Sequence, residues 1–214
     1  MRTIIALLCA VSCAAVFVGG CSTPSSGPDI PAGPEFRDRT SPENVVYNLE
    51  LGYEEMNLEE YLDCLSEDFE FFPCQDDVND PELDIPAVWW KVDEQRMHEN
   101  MFADSSDVES ISLTLTIVSI DYDDGIPEDP LDNTCVCVVD VELRVNLYGG
   151  LTFLATAPSE FHMRIDIDQP NPVPDPDDIL WWEINHWFDL GGEGRGAEAG
   201  RSERSWGAIK AMYR

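Results

Sequence analysis

The spacing of apolar and polar positions along this chain changes period once, near residue 108. Upstream of that point, Val45, Leu49, Tyr53 and Met56 recur at helical spacing behind Ser41-Pro42, a cap followed by a proline suited to a first helical turn. Asn57 can cap a second helix with Glu60 three residues on, and Leu58, Tyr61, Leu62 and Leu65 line one face of it. Phe69 to Pro73 reads as a short extended segment. Trp89 to Phe102 predicts a third helix with Trp90, Glu94, Met97 and Met101 on one side, a stripe that serves packing far more often than cofactor binding.

Downstream the period is two. Ile111, Leu113, Leu115 and Ile117 alternate with Ser112, Thr114 and Thr116, and Cys135, Cys137, Val139, Val141, Leu143, Val145 and Leu147 form the apolar face of a second strand. Gly149-Gly150 is a tight hairpin signal. A third strand places Leu151, Phe153, Ala155, Phe161, Met163, Ile165 and Ile167 on one face, with Pro158 marking a bulge or bend. The fourth runs from Ile179 to Leu190. Trp182 and Ile184 are in phase there while Trp187 is three further on, so the strand either bulges or changes its buried face. Three N-terminal helices and a curved four-stranded antiparallel sheet predict an α+β domain, the sheet wrapping one helix to leave a cone-shaped cavity.

The ends of the chain differ from this body. Met1-Arg2, an uncharged apolar run from Ile4 to Val18 and the small pair Gly19-Gly20 have the anatomy of a secretory signal, too short to span a bilayer comfortably. Val18-Gly19-Gly20-Cys21 resembles the lipobox of bacterial lipoproteins, which makes Cys21 the expected lipidation site and several acyl chains the expected anchor. Ser22 stands at the second mature position, where aspartate would favour the inner membrane, so the expected address is the cell envelope at the outer membrane, facing the periplasm or the surface. Residues 1–20 are thus read as the signal peptide, 21–40 as a Ser, Gly and Pro-rich flexible tether, 41–190 as the folded domain, and 191–214 as a Gly-rich linker with a short basic C-terminal helix. In that last piece Ser205 can cap a helix whose Trp206, Ile209, Met212 and Tyr213 share a stripe, expected to dock on the domain with its basic residues facing acidic loops.

Twelve basic residues against 43 acidic ones give a formal net charge of −31, which leaves almost nothing with which to grip nucleic acid. Such self-repulsion is offset by salt or cations, as in proteins of saline habitats. The acidic run Asp121 to Gly125 is not a helix-loop-helix calcium loop, because glycine falls fifth rather than sixth, and it reads as a solvated hairpin loop. Of the seven cysteines, Cys9 and Cys13 leave with the signal, and Cys64, Cys74, Cys135 and Cys137 enter an oxidising compartment. Cys135 and Cys137 lie about 6.5 Å apart on one strand face, too far to bridge without distortion, and lack the paired spacing of zinc ribbons. Cys64 and Cys74 are the expected disulfide.

The run from Ser41-Pro42-Glu43-Asn44 to Asp68-Phe69-Glu70-Phe71, the later helix, and Trp182-Glu183-Ile184 with Trp187 and Asp189 together resemble nuclear-transport-factor-2-like domains. With a closing segment similar to Ser205 to Lys210, the likeness over residues 41–214 is to a bacterial lipoprotein branch of that family to which no activity is assigned. The resemblance implies the cone-shaped fold and a dimer through the outer face of the sheet. The catalytic groups of the ketosteroid isomerases do not carry over: Phe72 or Pro73 stands where the base is expected, and an aliphatic residue near Leu49 where the tyrosine is. His186, Asp189, Trp182, Trp90 and Glu94 remain as candidates for the pocket or its rim, with no catalytic residue, metal or cofactor assigned. No hydrolase elbow, phosphate loop or His-Glu-x-x-His motif occurs. The expected function is a membrane-tethered, non-catalytic module that binds a small apolar ligand or a partner; the alternative is a small isomerase, dehydratase or cyclase using the cone.

Overall fold

The computed structural model describes residues 33–123, 134–166, 181–191 and 201–214, the last segment without the side chains of 201–203. The compact unit begins at Pro34, earlier than the expected boundary at residue 41. The end of the presumed tether is held by hydrogen bonds: Asn48 bonds the backbone of Arg37 at 2.8 and 2.7 Å, Arg39 donates to the carbonyl of Asp63, and the Arg39 carbonyl accepts from Trp182 N at 2.8 Å. Cys21, the signal and the first part of the tether lie outside the described residues, as do most of the two acidic loops.

Helix α1 (Pro42–Glu54) starts where the sequence places it, with Ser41 Oγ accepting from Asn44 N. Helix α2 (Leu58–Asp63) is capped by Asn57. The two approach closely at Gly52, where an added Cβ would come within 3.2 Å of the Tyr61 backbone. That approach brings Tyr53 and Tyr61 together, their ring centroids 5.1 Å apart. Strand β1 (Leu65–Phe72) follows, then the single turn α3 (Gln75–Val78), the two-residue β2 (Trp89–Trp90) and α4 (Lys91–Met101). In β2, alternation buries Trp89 and turns Trp90 outward at 51% exposure, so Trp90 does not share the inner stripe of Glu94, Met97 and Met101.

The meander is β3 (Val108–Asp123), β4 (Thr134–Leu147), β5 (Thr152–Ile165) and β6 (Trp182–Asp189), but the sheet is wider than four strands. Six strands lie in the order β2-β1-β6-β5-β4-β3, and the short β7 (Arg201–Glu203) adds to β5 in parallel. The sheet is mixed because β1 pairs with β6 in parallel, a contact between segments more than a hundred residues apart that hydropathy cannot announce. Asp121 to Asp123 belong to β3, not to a loop. Gly149 and Gly150, at φ +107° and +88°, make the β4–β5 hairpin. Pro158 makes no bulge in β5 against β4, with which its pairing is continuous. Its carbonyl accepts from Leu190 N at 3.2 Å just past the end of β6, so the missing N–H lies on the side of β5 away from β4 and costs the β4–β5 ladder no bond. The irregularity expected in β6 is a bulge: Met163 pairs with Ile184 and His162 with His186, leaving Asn185 as the extra residue.

Helix α5 (Trp206–Ala211) closes the domain, capped by Ser205 and buried through Trp206, Ala208 and Ile209. Of the expected docking stripe, Trp206 and Ile209 are buried, whereas Tyr213 is half-buried and Met212 largely exposed. Lys210 does not face acidic loops but is fully buried.

Candidate functional site

Five polar side chains from four helices meet in the interior, each fully buried: Tyr53 of α1, Tyr61 of α2, Glu94 and His98 of α4, and Lys210 of α5. Lys210 Nζ donates to both carboxylate oxygens of Glu94, at 2.8 and 2.9 Å. Tyr61 OH donates to Glu94 Oε2 at 2.7 Å. His98 Nδ1 lies 2.8 Å from the Glu94 carbonyl, which only accepts, so Nδ1 carries the proton and Nε2 accepts from Tyr53 OH at 2.5 Å. Aromatic faces complete the enclosure, the ammonium sitting 3.9 Å from the ring centre of Phe71 and 4.4 Å from that of Trp187.

Burial sets the charge states. Desolvation brings the His98 pKa down to about 4 against the opposing pull of Glu94, so the imidazole is neutral at pH 7. Desolvation and the nearby Glu94 carboxylate raise both tyrosine pKa values well above the usual range, which keeps the hydroxyls protonated as donors. Burial also lowers the Lys210 pKa, and Glu94 opposes it. These groups therefore satisfy one another: the one lone pair of His98 suited to proton abstraction is engaged by Tyr53, and both oxygens of Glu94 by Lys210.

A second cluster holds α5 in place. Asp189 at the end of β6 accepts from Gly191 N at 3.0 Å and Gly207 N at 3.4 Å, and Asp77 accepts from the Ser205 hydroxyl. Gly207 allows the approach, since a Cβ there would lie 3.2 Å from Pro73 Cβ and 3.3 Å from Asp77 Oδ2. Cys74, Asp77 and Asp189 bring ligand atoms within 4.8 Å of one another, a set able to hold a divalent ion. Without an ion, burial pushes the Cys74 thiol up to about 12. Burial raises the Asp189 pKa too. The hydrogen bonds made by these carboxylates point to the first turn of α5, where negative charge is favoured.

The residues singled out from sequence are thus dispersed. Glu94 is central and Asp189 supports α5, while Trp182 is buried at the other end of β6, against Tyr122. Trp90 is on the surface, and the bulge turns His186 out of the interior onto the outer sheet face. Leu49 and Phe72 hold core and outer-face positions, Phe72 stacked on Phe188 with centroids 4.6 Å apart. Cys64 and Cys74 are free thiols. They lie at opposite ends of β6, Cys64 beside Ile184, whose N donates to the Cys64 carbonyl, and Cys74 beside Gly191, which puts them beyond disulfide reach. Cys64 instead donates to the Glu60 carbonyl at 3.3 Å. Cys135 and Cys137 are also free and buried on the inner face.

Pattern reading places Tyr53 and Tyr61 on packing faces and Lys210 toward acidic loops, and it gives His98 no role. One signal was available: Glu94 and His98 stand four apart on the same helical face as the apolar Met97 and Met101.

No protein-family model and no curated protein matches the sequence. In fold, the chain is similar to a conserved protein from Planctomyces limnophilus, with a TM-score of 0.50 and 9% identity over 69% of this chain and 90% of that one. Further similar structures are a protein assigned as a scytalone dehydratase from Novosphingobium aromaticivorans (TM-score 0.49, 8% identity, 75% of this chain and 89% of that one) and a nuclear-transport-factor-2-like protein of unknown function in nutrient uptake from Rhodospirillum rubrum (0.45, 13%, 70% and 96%). The chain is an α+β protein whose structural neighbours include nuclear-transport-factor-2-like proteins. At these identities the likeness is one of fold, and fold does not fix chemistry.

Proposed function

We propose that this protein is a lipid-anchored module of the bacterial cell envelope that works by interaction rather than by catalysis, its cone closed by its own C-terminal helix. The observation that carries the non-catalytic reading is the engagement of Glu94 by Lys210 and of His98 by Tyr53, with all four side chains fully buried. A cone of this fold used as an active site needs ionisable groups free to meet a substrate, and here those groups are spent on one another. The anchor rests on Cys21 behind its apolar run; among the described residues no helix is long and apolar enough to cross a membrane. The acidic surface suits a face turned to water above the membrane, and pairing of two copies through the outer sheet face is part of this reading.

Two measurements test it. Detergent partitioning of the full chain and its Cys21→Ser variant from a Gram-negative host should place the wild type in the detergent phase and the variant in the aqueous phase. A water-soluble, unacylated wild type overturns the anchor. Titration of the full chain with the apolar fluorophore N-phenyl-1-naphthylamine should give no saturable signal. Stoichiometric binding that is lost in Glu94→Gln would favour the enzyme or small-ligand use of the cone instead.

A further inference from the structure

Three backbone segments close on one buried spot at the end of β6, outside the Glu94 network. Gly191, at φ +73°, stands where a Cβ would come 3.2 Å from the Cys74 Cβ and 3.6 Å from its sulfur, and Gly207 brings the first turn of α5 against Asp77. In the cradle these glycines allow, Cys74, Asp77 and Asp189 set one sulfur and two carboxylate oxygens within 4.8 Å of one another. All three residues are buried, and Asp77 N donates to the Cys74 carbonyl at 3.1 Å, closing the turn that holds their side chains together. Two carboxylates and a thiol thus face one another with no cation of their own. Among the described residues neither Asp77 nor Asp189 forms a salt bridge, and Lys210, whose charge favours ionised Asp189, is bonded to Glu94. Burying like charges together costs free energy that a bound cation would remove.

We propose that Cys74, Asp77 and Asp189 form a binding site for a divalent transition ion of the zinc type. Three atoms spanning at most 4.8 Å have a common point within about 2.8 Å of each, and bonds to zinc of about 2.0–2.3 Å then require each to move in by less than about 1 Å. The donor set chooses the metal: a thiolate sulfur favours zinc over calcium or magnesium, which take oxygen alone. On binding, the sulfur gives its proton to solvent and an electron pair to the ion. A fourth position is left for water.

The surroundings supply the outer shell that such ligands need. Gly191 N and Gly207 N donate to Asp189 at 3.0 and 3.4 Å, and the Ser205 hydroxyl donates to Asp77. Each bond fixes the direction of its carboxylate and leaves it further lone pairs for a metal. Three anionic ligands around a doubly charged ion leave one negative charge, the sign that the backbone N–H groups at the start of α5 favour. The ion would join α3, the end of β6 and the contacts of α5, the helix whose Trp206 and Lys210 are buried in the interior. It would act as a clasp on the docked helix, independently of the membrane anchor.

The test uses the full chain, made without a polyhistidine tag, reduced and stripped with a chelator, then titrated with CoCl₂ and with ZnCl₂. Cobalt reports the sulfur directly, because a thiolate ligand gives a near-ultraviolet charge-transfer band that surface carboxylates do not. Expected are a band that saturates at one equivalent of Co²⁺, its loss when Zn²⁺ displaces the cobalt, and a rise in Tm on adding Zn²⁺. Cys74→Ser should abolish the band, and Asp77→Asn and Asp189→Asn should each weaken zinc binding about tenfold or more. Absence of a saturating band in the wild type overturns the proposal whatever the variants do. A band that persists in Cys74→Ser overturns it as well, since the sulfur is then another cysteine's, and so does zinc affinity unchanged in both aspartate variants.

Discussion

Lys210 and Glu94, 116 residues apart, form an ion pair with both side chains fully buried and Nζ within 2.9 Å of each carboxylate oxygen. Removing one partner of such a pair strands the other charge in the core, which costs about 3–5 kcal/mol, whereas neutralising both costs far less. Lys210→Met should therefore be destabilised by about that amount in urea unfolding, and the double variant Lys210→Met/Glu94→Gln should regain a large part of the loss. Gln at 94 still offers an acceptor to Tyr61. A double variant no more stable than Lys210→Met would show that the pair is not coupled as its geometry requires.

Trp206 anchors the same helix, its ring 4.7 Å from Trp187 and 5.3 Å from Tyr53 between centroids. Trp206→Ala should cost about 3–5 kcal/mol, and truncation after Gly200, which removes Lys210 as well, should cost at least as much. If both variants melt with the wild type and Trp206 fluorescence reports full exposure to water, α5 is not docked in solution.

Local chemistry made much of the fold legible. Ser41-Pro42 and Asn57 set helix starts that depend only on their own neighbours, and the phase slip between Ile184 and Trp187 registered the bulge at Asn185. Contacts over long separations were not legible. The parallel pairing of β1 with β6 and the place of Lys210 depend on what lies opposite, and a lysine next to Ile209 reads as solvated until Glu94 is known to face it. His186 shows the same limit in one residue: the phase slip left two faces open to it, and only the register with His162 decides between them.

The four described thiols should resist modification in the folded protein. Burial pushes Cys64, Cys74, Cys135 and Cys137 each up to about 12, so the reactive thiolate is scarce at pH 8. Iodoacetamide should label them only after denaturation, and a non-reducing peptide map of protein unfolded under alkylation should lack a Cys64 to Cys74 bridge. Recovery of that bridged peptide would mean that β1 does not separate the two as it does here.

His98 predicts a pH dependence with a definite sign. Its pKa falls from 6.5 in the unfolded chain to about 4 when buried. Above pH 6.5 the ring is neutral in both states and contributes no pH dependence. Between 6.5 and 4 the unfolded chain takes up a proton that the folded one refuses, so stability drops as the pH is lowered, by about 3 kcal/mol over the whole window. Raised carboxyls such as Asp189 work in the opposite direction, because protonation then favours the folded state. The contribution of His98 is isolated by comparison with His98→Gln, which removes the titration and keeps a polar side chain beside Tyr53. Urea unfolding of both proteins at pH 7.5, 6.0, 5.0 and 4.5 should give curves that run parallel above 6.5 and converge below it as the wild type loses stability faster. Curves that stay parallel down to pH 4.5 would mean that His98 takes up its proton in the folded state as readily as in water, and that burial does not hold it neutral.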